Sequence, residues 1–151
     1  MQMTLGSKGD YSVRATLHLA SAGGRRVTSR EIAENMQIPP KYLPQVLGDL
    51  IKAGLIDSVP GPGGGYALAR PASAISLLDV VEAAEGPVGN TKCLLRGGPC
   101  YWEDRCSMHD AWSAAQEKMI DQLRRTSFAA LARNDAAMQR AGNDPGRASG
   151  G

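Results

Sequence analysis

The chain has 151 residues, 42% of them hydrophobic and 5% aromatic, with a formal net charge of +2. That is one ordinary domain or a small domain with an arm, and its core must rest on Leu, Val, Ile, Ala and Met. No stretch approaches the ~20 apolar residues needed to span a bilayer. The opening MQMTLGSKGD has no apolar run, so no secretory signal is expected, and the protein is expected to be cytoplasmic with no membrane partner.

The periodicity predicts a first helix from Gly9 to Ala22, with Val13, Thr16, Leu17 and Ala20 at helical spacing. A capping box, Thr28-Ser29-Arg30-Glu31, opens a short second helix ending near Gln37. Leu43, Val46, Leu47 and Leu50 mark a third helix that stops at Gly54. Pro44 is tolerated only in a first turn, so this helix must start late, near Tyr42, or kink. Two β-prone runs, Leu55–Val59 and Tyr66–Arg70, flank a Gly/Pro turn and read as a hairpin.

The order helix, helix, helix, hairpin is a winged helix-turn-helix. The expected fold is mainly α with a small β-hairpin wing and a long dimerisation helix. A further helix is expected from Leu77 to Ala84, with Ser76 as its cap. The winged unit is assigned to residues 1–86, and a ligand-binding loop to 87–108. A long helix and a terminal turn are assigned to 109–133, and a disordered tail to 134–151. On the long helix, Trp112, Ala115, Met119 and Leu123 form an apolar stripe with little intrachain cover, so a homodimer is expected.

Residues 1–70 hold eight Lys and Arg against five Asp and Glu, whereas residues 71–151 hold nine against ten. A basic N-terminal half suits a phosphate-facing half. In this motif the third helix meets base edges in the major groove of double-stranded DNA, and its leading residues are Lys41, Tyr42 and Gln45. Gln pairs bidentately with adenine, and Lys reaches phosphate or guanine. Lys8 and Arg14 are candidate phosphate contacts, and Tyr11, Ser29, Gly63 and Gly64 complete the DNA-facing set.

Three cysteines fall within fourteen residues, as Cys93-x6-Cys100-x5-Cys106-x2-His109. An odd count argues against a disulfide framework. Thiolates are soft ligands that suit iron–sulfur clusters and zinc. Cys106 and His109 are three apart at a helix start, so His109 can join as a fourth ligand. The wide, unpaired spacing favours a cluster over zinc, which usually takes ligands two to four residues apart. His18 reads as packing or surface.

Together these motifs resemble the IscR-type iron–sulfur winged-helix regulators, the family that also contains NsrR. The resemblance rests on Ser7–Ala15, Tyr42-Leu43, Gly54-Leu55-Ile56, the wing Gly61–Tyr66, and Cys106-Ser-Met-His109-Asp-Ala-Trp112, and covers about residues 3–132. It implies a homodimeric transcription regulator, here expected to be a repressor of genes for iron–sulfur assembly, iron or redox stress. It also implies a 2Fe–2S cluster on Cys93, Cys100, Cys106 and His109. NsrR-type members instead hold a 4Fe–4S cluster with an Asp from the partner's N-terminal helix, and Asp10 stands at that position. Two positions depart from the IscR pattern: Pro44 replaces a Glu of the recognition helix, and Pro60 replaces an Arg at the start of the wing. A different operator is therefore expected. Catalysis is not, since no spacing joins a nucleophile to a base.

Overall fold

The computed structural model describes residues 5–88 and 106–143. Helices α1 (Ser7–Ser21), α2 (Ser29–Met36) and α3 (Leu43–Lys52) lead into strands β1 (Ile56–Val59) and β2 (Gly65–Leu68). Helices α4 (Leu77–Glu85), α5 (His109–Arg125) and α6 (Phe128–Gly142) follow. The expected winged helix-turn-helix is present.

Each boundary has a local cause. Thr28 Oγ1 accepts the Glu31 amide at 3.2 Å and starts α2. The capping box expected there is only half made, because the Glu31 carboxylate turns to Arg25 instead (2.9 and 3.2 Å). A complete box forms at α4, where Ser76 Oγ accepts the Asp79 amide (3.0 Å) and Asp79 Oδ2 accepts the Ser76 amide (2.9 Å). Ser76→Ala is expected to cost about 1 kcal/mol. Thermal unfolding should show this as a fall of roughly 2–4 °C.

Helix α3 solves its proline as the sequence requires. A 3-10 turn over Pro40–Tyr42 leads in, and Pro44 then lies in the first turn of α3, where a missing N–H costs nothing. Leu43, Val46, Leu47 and Leu50 are all buried. Gly54, at φ +74°, ends the helix in a left-handed conformation.

The hairpin pairs antiparallel, from Ile56 opposite Leu68 to Val59 opposite Gly65. Val27 adds a bridge to β2, exchanging two backbone hydrogen bonds with Tyr66 (2.7 and 2.9 Å). A Cβ on Gly65 would lie 2.7 Å from the Val27 carbonyl oxygen, so only glycine fits this close approach.

Among the described residues, one cluster of buried side chains joins the N- and C-terminal parts. It includes Leu19, Val27, Ile32, Leu47, Leu50, Ile56, Ile75, Val80 and Phe128. Helix α1 lies against both α4 and α6. The Glu85 carboxylate at the end of α4 accepts the Gly6 amide at 2.7 Å and covers the start of α1.

The C-terminal part differs from the sequence expectation. The terminal turn and the tail assigned to 134–151 are, through Gly142, a fifteen-residue helix. Ser127 caps it by accepting the Ala130 amide (3.2 Å). Its five alanines before Arg140 supply helix propensity without an obvious apolar period. Residues 144–151 of the expected tail lie outside the described residues. No helix among the described residues is long and apolar enough to cross a membrane.

Candidate nucleic-acid interface and cysteine site

Four of the expected DNA-facing residues form one patch where α1 meets the start of α3. The Tyr11 and Tyr42 rings lie 5.5 Å apart, tilted by 31°. The Arg14 guanidinium stands 5.8 Å from the Tyr11 ring and Lys41 Nζ stands 5.0 Å from the Tyr42 ring. Both are cation–π distances. Tyr42 is 42% exposed, a large aromatic held at the surface. Lys41 and Gln45 are exposed beside it.

The two expected phosphate contacts, Lys8 and Arg14, are engaged within the chain. Lys8 Nζ pairs with Asp49 of α3 at 3.1 Å. Arg14 grips the Asp10 carboxylate through two nitrogens (2.6 and 3.1 Å) and donates a third bond to the Met36 carbonyl (3.1 Å). These bonds fix α1 against the end of α2 and against α3, and so set the tilt of the helix that carries Tyr42 and Gln45.

Ser29 lies in the first turn of α2, where exposed amides and the helix dipole suit a phosphate. It borders a groove lined by Arg30, Pro40, Pro44, Leu47 and Tyr66. Gly63 and Gly64 lie in the wing turn, away from this groove. A Cβ on Gly64 would come within 2.1 Å of the Val59 carbonyl oxygen, so the turn tolerates no side chain there.

Arg26, which carries no sequence signal, secures the wing. Its Nη1 donates to Asp57 of β1 (2.9 Å) and to the Gly65 carbonyl (3.2 Å). Its partners stand 31 and 39 residues away, so no spacing rule could have found it. Behind α2, the hydrogen bond from Arg25 holds the Glu31 carboxyl below the usual carboxylate range, and Glu31 raises Arg25 in turn. His18 Nε2 faces the same carboxylate at 3.4 Å, which gives that half-buried histidine its packing role.

Of the cysteine set, Cys93 and Cys100 lie outside the described residues. Cys106 and His109 are both half-buried at the head of α5, and the His109 amide donates to the Cys106 carbonyl at 3.1 Å. His109 Nε2 lies 3.5 Å from Ser113 Oγ, one turn further on. Among the described residues no three His, Cys, Asp or Glu side chains converge as a metal site.

Residues 5–134 match the model of the Rrf2 family, described as an iron-dependent transcriptional regulator. The chain belongs to the Rrf2 family. It is 35% identical over 141 residues to the HTH-type transcriptional regulator IscR of Escherichia coli (strain K12 / DH10B), spanning 93% of this chain and 86% of the relative. Among solved structures it is similar to IscR of T. potens, at 28% identity and TM-score 0.73, over 92% of this chain and 93% of that one. It is also similar to CymR, the global cysteine regulator of B. subtilis, at 25% identity and TM-score 0.74, over 88% and 98%. This Rrf2 protein is thus a DNA-binding transcriptional regulator and not an enzyme.

Proposed function

We propose that the protein is a homodimeric regulator that holds an iron–sulfur cluster on Cys93, Cys100, Cys106 and His109, and binds its operator according to the state of that cluster. The observation that carries this reading is the head of α5. There Cys106 and His109 stand one turn apart, and Ser113 Oγ lies 3.5 Å from His109 Nε2, where it can help orient the ring. Three thiolates and one imidazole fit a 2Fe–2S centre by ligand chemistry. Asp10, the candidate ligand of a 4Fe–4S centre, already accepts two bonds from Arg14, one on each oxygen, and ligation would have to compete with at least one of them. This supports His109 as the fourth ligand.

The cluster would supply redox and ligand-exchange chemistry that alters the charge of the cysteine-bearing segment before α5. Helix α5 has no buried residue within the monomer, which supports its use as the dimer contact. The residues of this chain then read DNA. Lys41, Tyr42 and Gln45 enter the major groove, with Ser29, Lys8, Arg14 and Tyr11 along the backbone and Gly63-Gly64 at the wing. Where its operator overlaps a promoter, occupancy would exclude polymerase, and the output would be repression.

The test is anaerobic purification with a visible spectrum and analysis of iron, acid-labile sulfide and zinc. The expected result is visible bands with iron and sulfide in equal amounts. Cys106→Ala and His109→Ala should lose most of both, and Asp10→Ala should retain them. A 4Fe–4S spectrum lost in Asp10→Ala would move the fourth ligand to Asp10. A colourless protein with stoichiometric zinc would overturn the sensing reading.

A further inference from the structure

Helix α3 carries a residue that the fold itself does not require. Gly48 lies in the middle of α3, and a Cβ built there meets nothing within 4 Å. Glycine inside a helix is less stable than alanine, because it orders more backbone freedom on folding. The chain accepts this cost with no gain visible in the monomer. Other glycines here have a reason: Gly54 holds a left-handed backbone, and Gly65 sits against a carbonyl.

The position of Gly48 points to the reason. Leu43, Val46, Leu47 and Leu50 form the buried face of α3. The opposite face holds Pro44, Gln45, Gly48, Ile51 and Lys52, all exposed, at offsets of one, four, seven and eight residues that share one side of a helix. Lys41 begins this face and Lys52 ends it. A face meant only for water would carry polar side chains in its centre. This one has no side chain at Gly48 in its centre, one apolar side chain, Ile51, toward its C-terminal end, and a cation at each end, which suits a groove walled by phosphates.

We propose that Gly48 is a DNA-contact position. Without a side chain, it lets the α3 backbone approach the floor of the major groove. Pro44 and Gly48 then form an apolar seat for a thymine methyl group, beside an adenine paired with Gln45. This inference rests on α3 being the reading helix.

The test compares full-length Gly48→Ala and Gln45→Ala with the wild-type protein, purified anaerobically, on a duplex that the wild type selects from a randomised pool. Gly48→Ala should raise the melting temperature of the free protein yet weaken binding about tenfold or more, with the salt dependence unchanged because no charge is lost. Replacing thymine by deoxyuridine at one position of each half-site should weaken the wild type and have less effect on Gly48→Ala. Wild-type affinity in Gly48→Ala, or a lowered melting temperature, overturns the proposal. If Gln45→Ala alone loses affinity, Gly48 is not a contact but α3 still reads DNA. If neither variant loses affinity, the assignment of α3 itself fails. Indifference to deoxyuridine at every thymine removes the methyl seat.

Discussion

Phe128→Ala is expected to destabilise the protein by about 3–5 kcal/mol, the usual cost of emptying a buried aromatic site. That is a large share of the ~5–15 kcal/mol that holds a typical domain together. Phe128 is fully buried and shares one cluster with Leu19, Leu50, Ile56 and Val80 of the winged unit. Its amide donates to the Ile75 carbonyl at 3.0 Å, and the Leu77 amide returns to the Thr126 carbonyl at 2.8 Å. The start of α6 is thus stitched to the segment before α4, while α6 itself lies along α1. Denaturant unfolding at fixed protein concentration should show the loss. Amide exchange should show where it falls: α1 and α3 should lose protection together with α6. Protection retained in α1 and α3 would mean that residues 1–86 fold alone.

That boundary was the least legible part of the fold, and the reason is physical. The N-terminal elements announce themselves locally. Thr28 and Ser76 are caps, Leu43 to Leu50 follow the helical period, and Gly54 stops a helix. Each signal involves residues a few positions apart. The role of Phe128 depends on Ile75, some fifty residues earlier. It is the only phenylalanine in the chain, and it marks no period that a reader could follow. The tail suffered from composition. Its alanines carry propensity without amphipathic contrast, so a helix to Gly142 read as a polar arm.

The candidate interface divides in the same way. Lys41, Tyr42 and Gln45 were legible because a helix-turn-helix dictates which residues lead its third helix, and they are exposed there. The partners of Lys8 and Arg14 were not. Asp49 is 41 residues from Lys8, and the Met36 carbonyl carries no sequence signal at all. Within the chain, Lys8 and Arg14, expected as phosphate contacts, act as struts that orient α3. Pro44 behaved as its chemistry demands, entering only in the first turn. Gly48 was overlooked because a lone glycine in a periodic stretch reads as a mild penalty until its empty surroundings are seen.

Placing charge on the outer face of α5 should separate assembly from folding. Helix α5 has seventeen residues, and is therefore about 25 Å long. Within the monomer it packs against α4, and Trp112, Gln116, Ile120 and Leu123 are half-covered. Ala115 and Met119 are exposed, Met119 by 36%. They belong to the stripe that the proposed dimer would bury. Ala115→Glu with Met119→Glu should therefore leave the far-ultraviolet spectrum of the monomer unchanged. It should convert the dimer to a monomer in sedimentation, because two copies of each charge would face one another across a two-fold interface. Operator affinity should fall about a hundredfold or more, since the second half-site no longer benefits from a tethered partner. A double variant that stays dimeric would place the interface on another surface. A wild-type chain that sediments as a monomer would remove the two-fold reading of DNA altogether, leaving α3 and the wing to bind one half-site each time.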